Sequence, residues 1–233
     1  MIQFYAPEIL KEPHLGHEEA LHCMRVLRKR VGDTIFVTDG KGQRYECEIL
    51  KGDTRRVDLR ILSTEEIPLS WDYNITLVIA PTKNADRMAW LVEKATEIGV
   101  NCIKFVKCRN SERKQINIER LKRNAVSAMN QSLKTFLPQL EELKDIDSIL
   151  DFVGQKYFGY CNSEIERKTF AKEYSGGDVI ILIGPEGDFS QDEVDKLQGS
   201  GFKAVTFGAE RLRTETAALY GVTAIHVIND RIF

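Results

Sequence analysis

The chain has 233 residues, 42% of them hydrophobic and 29% charged, with a formal net charge of −2. This is enough apolar material for one large domain or two small ones, and it argues against disorder. No apolar run approaches the roughly 18 residues of a membrane span, and Met1 to Glu8 lacks the pattern of a secretory leader, so a cytoplasmic protein with no membrane partner is expected.

Residues 1–68 read as β-rich. Glu18 to Arg30 has a helical pattern, with Leu21, Met24, Val26 and Leu27 on its apolar side. Thr34–Thr38 predicts a strand, Asp39-Gly40-Lys41-Gly42 a hairpin turn, Tyr45–Leu50 its antiparallel return, and Val57–Leu62 a third strand. Short strands at this spacing suggest a small barrel. Near Glu65–Ser70 the pattern changes, which divides the chain into domains 1–68 and 69–233.

From there strands and helices alternate. The spacing predicts a strand at Ile75–Ala80, a helix at Ala85–Ile98 closed by Gly99, and a strand at Ile103–Val106. A basic helix follows at Ile118–Lys134 and a buried strand at Val179–Ile183. Ser190-Gln191-Asp192-Glu193 is a capping box that opens another helix. Ala204–Phe207 is the last strand and Glu215–Ile228 the last helix. Continuous apolar strands between helices indicate an α/β class with a parallel sheet.

The charge is unevenly spread. Residues 104–134 carry nine basic side chains (Lys104, Lys107, Arg109, Arg113, Lys114, Arg120, Lys122, Arg123 and Lys134) against Glu112 and Glu119. A second cluster is Arg25, Arg28, Lys29 and Arg30. Such patches suit a polyanion on a chain that is acidic elsewhere. Five cysteines without a C-x-x-C pair, and histidines without ligand spacing, predict reduced thiols and no metal site.

Two segments carry the chemistry. Leu182-Ile183-Gly184-Pro185-Glu186-Gly187-Asp188 runs an apolar strand into a glycine turn, where ligands of open α/β sheets bind. It has neither the P-loop nor the G-x-G-x-x-G pattern. Phe207-Gly208, then Arg211-Leu212-Arg213-Thr214-Glu215-Thr216-Ala217, repeats the strand-turn-helix logic, with Thr214 or Thr216 as a helix cap.

Together these segments resemble the SPOUT methyltransferase superfamily, and within it the bacterial 16S ribosomal RNA uridine-N3 methyltransferases. The resemblance covers nearly the whole chain. His22-x-x-x-Val26-Leu27-Arg28, Gly32-Asp33 and Asp39-Gly40 are similar to that family's PUA-like RNA-binding domain. Lys83, Asp86-Arg87 and Lys94–Val100 are similar to its first strand-helix unit, and Ala128–Ser132 with Pro138 to its middle segment. Asp188, Asn110 and Lys134 depart from the family pattern, which commonly has glycine in place of Asp188 and arginine in place of Lys134.

The resemblance implies a C-terminal trefoil knot, a homodimer, and S-adenosylmethionine as cofactor. It places the cofactor against Leu182, Ile183, Gly184, Gly187, Phe207, Gly208, Leu212, Arg213, Thr216 and Ala217. Arg213 is expected to orient the uracil and stabilise its anion, and Glu215 to accept the N3 proton or to serve as an electrostatic partner. RNA contacts, in 16S ribosomal RNA within the small subunit, are expected from Arg25, Arg28, Lys29, Arg30, Lys83, Arg87, Arg120, Arg123, Gln131 and Lys134. A 2′-O-ribose methyltransferase and a non-catalytic RNA-binding module are the alternatives.

Overall fold

A computed structural model describes residues 2–112, 115–162 and 165–232, so Arg113 and Lys114 of the basic stretch lie outside the described residues. The chain divides into two compact units, Met1–Trp71 with Val126–Leu137, and Asp72–Ala125 with Pro138–Phe233.

In the first unit the strands are β1 (Gln3–Tyr5), β2 (His14–Leu15), β3 (Thr34–Thr38), β4 (Gln43–Gly52) and β5 (Val57–Glu66). They form one sheet in the order β1-β3-β4-β5-β2. The hairpin β3–β4 sets Ile35 against Cys47 and Val37 against Tyr45, and all four side chains are buried. Alternation along each strand sends these residues to one face, where Phe4, Ile9, Leu15, Ile49, Val57 and Leu59 join them as the core. Register shifts at Glu46/Cys47 and Ile49/Lys51 interrupt the long β4–β5 ladder. Bulges of this kind bend and twist a strand pair.

The helix expected over Glu18 to Arg30 is shorter. Helix α1 (His17–Leu21) passes into a single π-helical turn, His22–Val26. Arg28 then adopts a left-handed conformation, φ +54°, while the Lys29 N–H reaches back to the Cys23 carbonyl. A left-handed residue of this kind ends a helix, and here arginine takes the place glycine usually fills.

In the second unit β6 (Ile75–Ile79), β7 (Cys102–Val106), β8 (Gln139–Leu143), β9 (Gln155–Gly159), β10 (Lys168–Thr169), β11 (Val179–Ile183) and β12 (Lys203–Thr206) form a sheet ordered β10-β12-β9-β11-β6-β7-β8. Every pair in it is parallel. The central strands β6 and β11 are buried at every residue, as a sheet covered on both faces requires. Strands β8, β9 and β10 escaped the sequence reading. The outermost two are short or polar: β8 reads Gln-Leu-Glu-Glu-Leu, and β10 has two residues.

Helix α2 (Ala85–Ile98) is capped by the Asn84 side chain, which accepts from the Asp86 N–H, and it ends at Gly99, φ +125°. Helix α3 (Ile118–Gln131) stops three residues before the expected Lys134. Leu133 turns left-handed, φ +56°, and the N–H groups of Leu133 and Lys134 close on the carbonyls of Asn130 and Met129. Helix α4 (Phe170–Glu173) is one turn, and α5 (Gln191–Gly199) opens with the reciprocal Ser190/Glu193 capping box.

Helix α6 (Thr214–Ile232) packs on α2, β6 and β11. Its Gly221 sits on Ile181 of β11, while Ile180 and Leu182 face the other way into a core with Phe158, Phe189, Val194, Leu197 and Phe202. Among the described residues no helix is long and apolar enough to cross a membrane, and no cluster of His, Cys, Asp or Glu could hold a metal ion.

Candidate active site

A cleft of about 880 Å³ opens beyond the carboxyl ends of β9, β11 and β12. Ligand pockets commonly fall in this size range and at this end of a parallel sheet. Its walls are the turn after β11 (Ile183, Gly184, Pro185, Glu186, Asp188) and the segment Val205–Glu215 with Ala217. A third wall, from the end of β9, is Gly159, Tyr160, Cys161, Asn162 and Arg167, and Arg87 comes in from α2.

Each wall is fixed by local chemistry. Gly208 has φ +128°, a conformation other residues rarely adopt, and it lets the chain leave β12 along the cleft with open space beside its backbone. Helix α6 begins at Thr214, so neither Thr214 nor Thr216 is its cap; Arg213 holds that position, and its carbonyl accepts from the Ala217 N–H. Asp188 is left-handed too, φ +58°. Its carboxylate accepts from its own neighbour, the Phe189 N–H at 3.0 Å, and from the Cys161 N–H at 3.2 Å. The β9 wall is tied back in addition by Arg167, which donates to the Tyr160 carbonyl at 2.9 Å. Asn110 donates from its side chain to the carbonyls of Gly187 and Asp188. A Cβ at Gly187 would stand 3.1 Å from that of Asn110, so glycine permits this close approach.

The cleft carries charges of both signs. Glu186 and Glu210 are exposed and Asp188 is half-buried. Glu215 is buried, and its Oε1 lies 3.5 Å from Nε of Arg87. Arg211 and Arg213 are exposed on the opposite segment.

The expected cofactor residues Ile183, Gly184, Phe207, Gly208, Leu212, Arg213 and Ala217 line this cleft, with Glu215. Three do not. Leu182 points into the core and is fully buried, Gly187 lies behind Asp188 against Asn110, and Thr216 is exposed on the helix away from the lining. The sequence reading missed the β9 wall, whose signal is Phe158-Gly159-Tyr160, a glycine between aromatics at a strand end.

The residues expected at RNA separate by environment. Arg25, Arg28 and Arg30 are exposed, with no carboxylate partner among the described residues, and Lys29 is half-buried. Arg87 faces the cleft. Arg120 pairs with Asp86 at 2.8 Å, and Lys83 with Glu112 at 3.3 Å. Gln131 is exposed. Lys134 is half-buried over the Trp71 ring, 5.5 Å from its centre, and burial pulls its pKa below the ordinary lysine value.

Thiols elsewhere follow burial. Cys23 and Cys102 are pushed up to about 11 and Cys47 and Cys108 to about 12, all by desolvation first, whereas Cys161 is exposed at the cleft.

Comparison with known proteins adds a family context. The model of the RNA methyltransferase domain matches residues 70–226, and that of the RNA methyltransferase PUA domain matches residues 15–62. The chain is similar to a protein named Ribosomal RNA small subunit methyltransferase E from Aquifex aeolicus, 28% identical over 93% of this chain and 95% of that one. A solved structure described as a probable rRNA-methyltransferase from Porphyromonas gingivalis is 38% identical, covers 100% of both chains and superposes with a TM-score of 0.94. A Ribosomal RNA small subunit methyltransferase E from Neisseria gonorrhoeae, solved bound to S-adenosyl methionine, is 26% identical with a TM-score of 0.85, covering 97% of each chain.

Proposed function

Because this chain belongs to the RNA methyltransferase family, we propose that it binds S-adenosylmethionine in the cleft after β9, β11 and β12 and methylates N3 of a uridine in 16S ribosomal RNA. The observation that carries the reading is the cleft itself, where backbone turns, apolar walls and a guanidinium–carboxylate pair meet at the carboxyl ends of three parallel strands.

The lining fits that cofactor. Ile183, Val205, Phe207, Leu212 and Ala217 offer an apolar surface for a flat adenine. At Gly208 nothing stands beside the backbone, and Gly184 lets the Phe189 ring pack directly against the turn. Glu186, Asp188 and Glu210 give negative charge for a cationic ligand. Bound there, S-adenosylmethionine supplies the methyl group that replaces the N3 proton of uracil, and it leaves as S-adenosylhomocysteine.

The protein's own tasks follow from the chemistry of uracil. Its N3 lone pair is unavailable until the proton leaves, and negative charge then spreads onto O2 and O4. Arg213, exposed at the helix entry, orients the base and stabilises that charge in this reading. Arg25, Arg28 and Arg30 on the N-terminal unit hold RNA phosphates. The N-terminal sheet acts as a PUA-like barrel, the C-terminal segment threads a trefoil knot, and the protein works as a homodimer.

Incubation with labelled cofactor and 30S subunits, then nuclease mapping, tests the reading. N3-methyluridine is expected. Label on ribose, or on another base, would sink it. Arg213→Ala should retain cofactor affinity within about threefold and lose turnover about 100-fold or more; unchanged turnover would remove Arg213 from the site.

A further inference from the structure

Of the four carboxylates among the described residues that line the cleft, only that of Glu215 is buried, with 8% of its side chain exposed. One oxygen faces Nε of Arg87 at 3.5 Å, and the other is sealed from solvent without a hydrogen-bond partner. A proton acceptor has to lie within hydrogen-bond reach of the proton it takes. The Oε2 of Glu215 is enclosed, and its Oε1 faces the Arg87 guanidinium.

Protonating Glu215 would also dissolve the ion pair and leave the guanidinium beside a neutral acid. Arg87 is better placed to act. With Nε 3.5 Å from Glu215, its two terminal amino groups keep four N–H donors, and no other ion pair engages them among the described residues. The side chain is 38% exposed and lines the cleft. A planar cationic fork held from behind matches a planar acceptor whose oxygens gain negative charge.

Resting on the reading that this cleft methylates uracil, we propose that Arg87 contacts the target base and stabilises its anion, and that Glu215 is a positioning residue that aims the Arg87 guanidinium rather than the acceptor of the N3 proton. Arg87 thereby moves from the RNA-docking set to the reaction centre. The N3 proton passes to water as the new N–C bond forms. Arg87 and Arg213, from α2 and from the entry to α6, share the charge on the base.

The test compares Arg87→Ala, Arg87→Lys, Glu215→Gln and the double variant Arg87→Ala/Glu215→Gln. Arg87→Ala and Glu215→Gln should each lower kcat about 10- to 100-fold, with cofactor affinity by calorimetry changed less than about threefold. The double variant should be no worse than Arg87→Ala alone, because both changes remove one function. Arg87→Lys, which keeps charge but not the fork, should recover less than a tenth of wild-type kcat. Glu215→Gln should keep the wild-type pH profile in shape.

Losses that multiply in the double variant would overturn the proposal. So would loss of an acid limb from the profile of Glu215→Gln. An independent readout is the ¹⁵Nε resonance of Arg87 in the free protein, which should move in Glu215→Gln; an unmoved resonance would overturn the pairing itself. The coupling is measured on whatever methylated product wild type forms. A product other than N3-methyluridine would therefore defeat the parent reading while the Arg87–Glu215 result still stands or falls alone.

Discussion

The Asn110 side-chain amide donates to two successive carbonyls of the β11 turn, those of Gly187 and Asp188, each at 3.1 Å. One residue from the loop after β7 thus fixes the backbone that forms a wall of the cleft. Asn110→Ala should weaken S-adenosylmethionine binding about 5- to 20-fold, the value of one or two hydrogen bonds. Gly187→Ala should do the same by pressing a methyl against Asn110, and the two changes together should be less than additive. Isothermal titration of the three proteins measures this, and additive losses would separate Asn110 from the turn.

Asp188 holds a left-handed backbone conformation and also accepts the Cys161 N–H. Asp188→Gly removes the backbone strain but leaves the N–H groups of Cys161 and Phe189 without that acceptor, so the two effects offset and stability should change by about 1 kcal/mol or less. Asp188→Val keeps neither benefit and should lose roughly 2–3 kcal/mol. Urea unfolding of the pair decides it, and a valine variant as stable as the glycine one would contradict the assigned geometry.

Glu19 should make stability depend on pH. Its Oε2 is enclosed, its Oε1 accepts from Asn130, and burial raises its pKa from 4.5 to about 7, opposed by hydrogen bonds from the Tyr5 backbone and Asn130 and reinforced by Glu18. The folded protein therefore binds more protons here than the unfolded chain between those values. Stability should fall as pH rises from about 4.5 to about 7 and level off above, by on the order of 3 kcal/mol. Oε2 of Glu19 is enclosed without a hydrogen-bond partner, which disfavours the charged carboxylate there. Glu19→Gln should remove this dependence and melt several degrees above wild type at pH 8, with little difference at pH 4.5. Parallel melting curves across pH would refute the assignment.

Thiol reactivity should single out Cys161. The other four thiols are buried and held well above neutrality, so few of them are thiolates at pH 7.5. A disulfide reagent should label one cysteine quickly, identified by mass spectrometry as Cys161, and S-adenosylmethionine should slow it. Undiminished labelling with saturating cofactor would place the ligand away from the β9 wall.

Salt dependence should report the N-terminal cluster. Replacing Arg25, Arg28 and Arg30 by alanine should lower the slope of log K against log salt for 16S RNA by about two to three. An unchanged slope in filter binding would move RNA docking elsewhere.

Much of this architecture is legible in the amino acids because local signals agree. Helix α2 shows its apolar stripe, its Asn84 cap and its Gly99 stop together, and the Ser190/Glu193 box announces α5. Strands β6 and β11 are continuous apolar runs. What was not legible depends on distant partners or unusual backbone. Strand β8 looks polar because an edge strand leaves Glu141 and Glu142 outward, where they pair with Lys104 and Lys107. The stops at Arg28 and Leu133 use residues with no intrinsic preference for a left-handed turn. Within the cleft the two glycine turns could be read from spacing. The pairing of Arg87 with Glu215 could not, because the residues are separated by most of the second unit's length and nothing in either segment names the other.

Helix α3 starts in one compact unit and ends in the other, and residues 126–137 complete the sheet unit begun by the first 71 residues. Lys41 bridges to Phe136, and the Leu137 N–H reaches the Gly40 carbonyl. The N-terminal unit is therefore not a cassette. No single cut in the gene releases it whole, and a swap of residues 1–71 alone would carry away a module that lacks its own closing segment. Recombination between relatives should succeed only when both stretches travel together, which binds the inheritance of the two units into one.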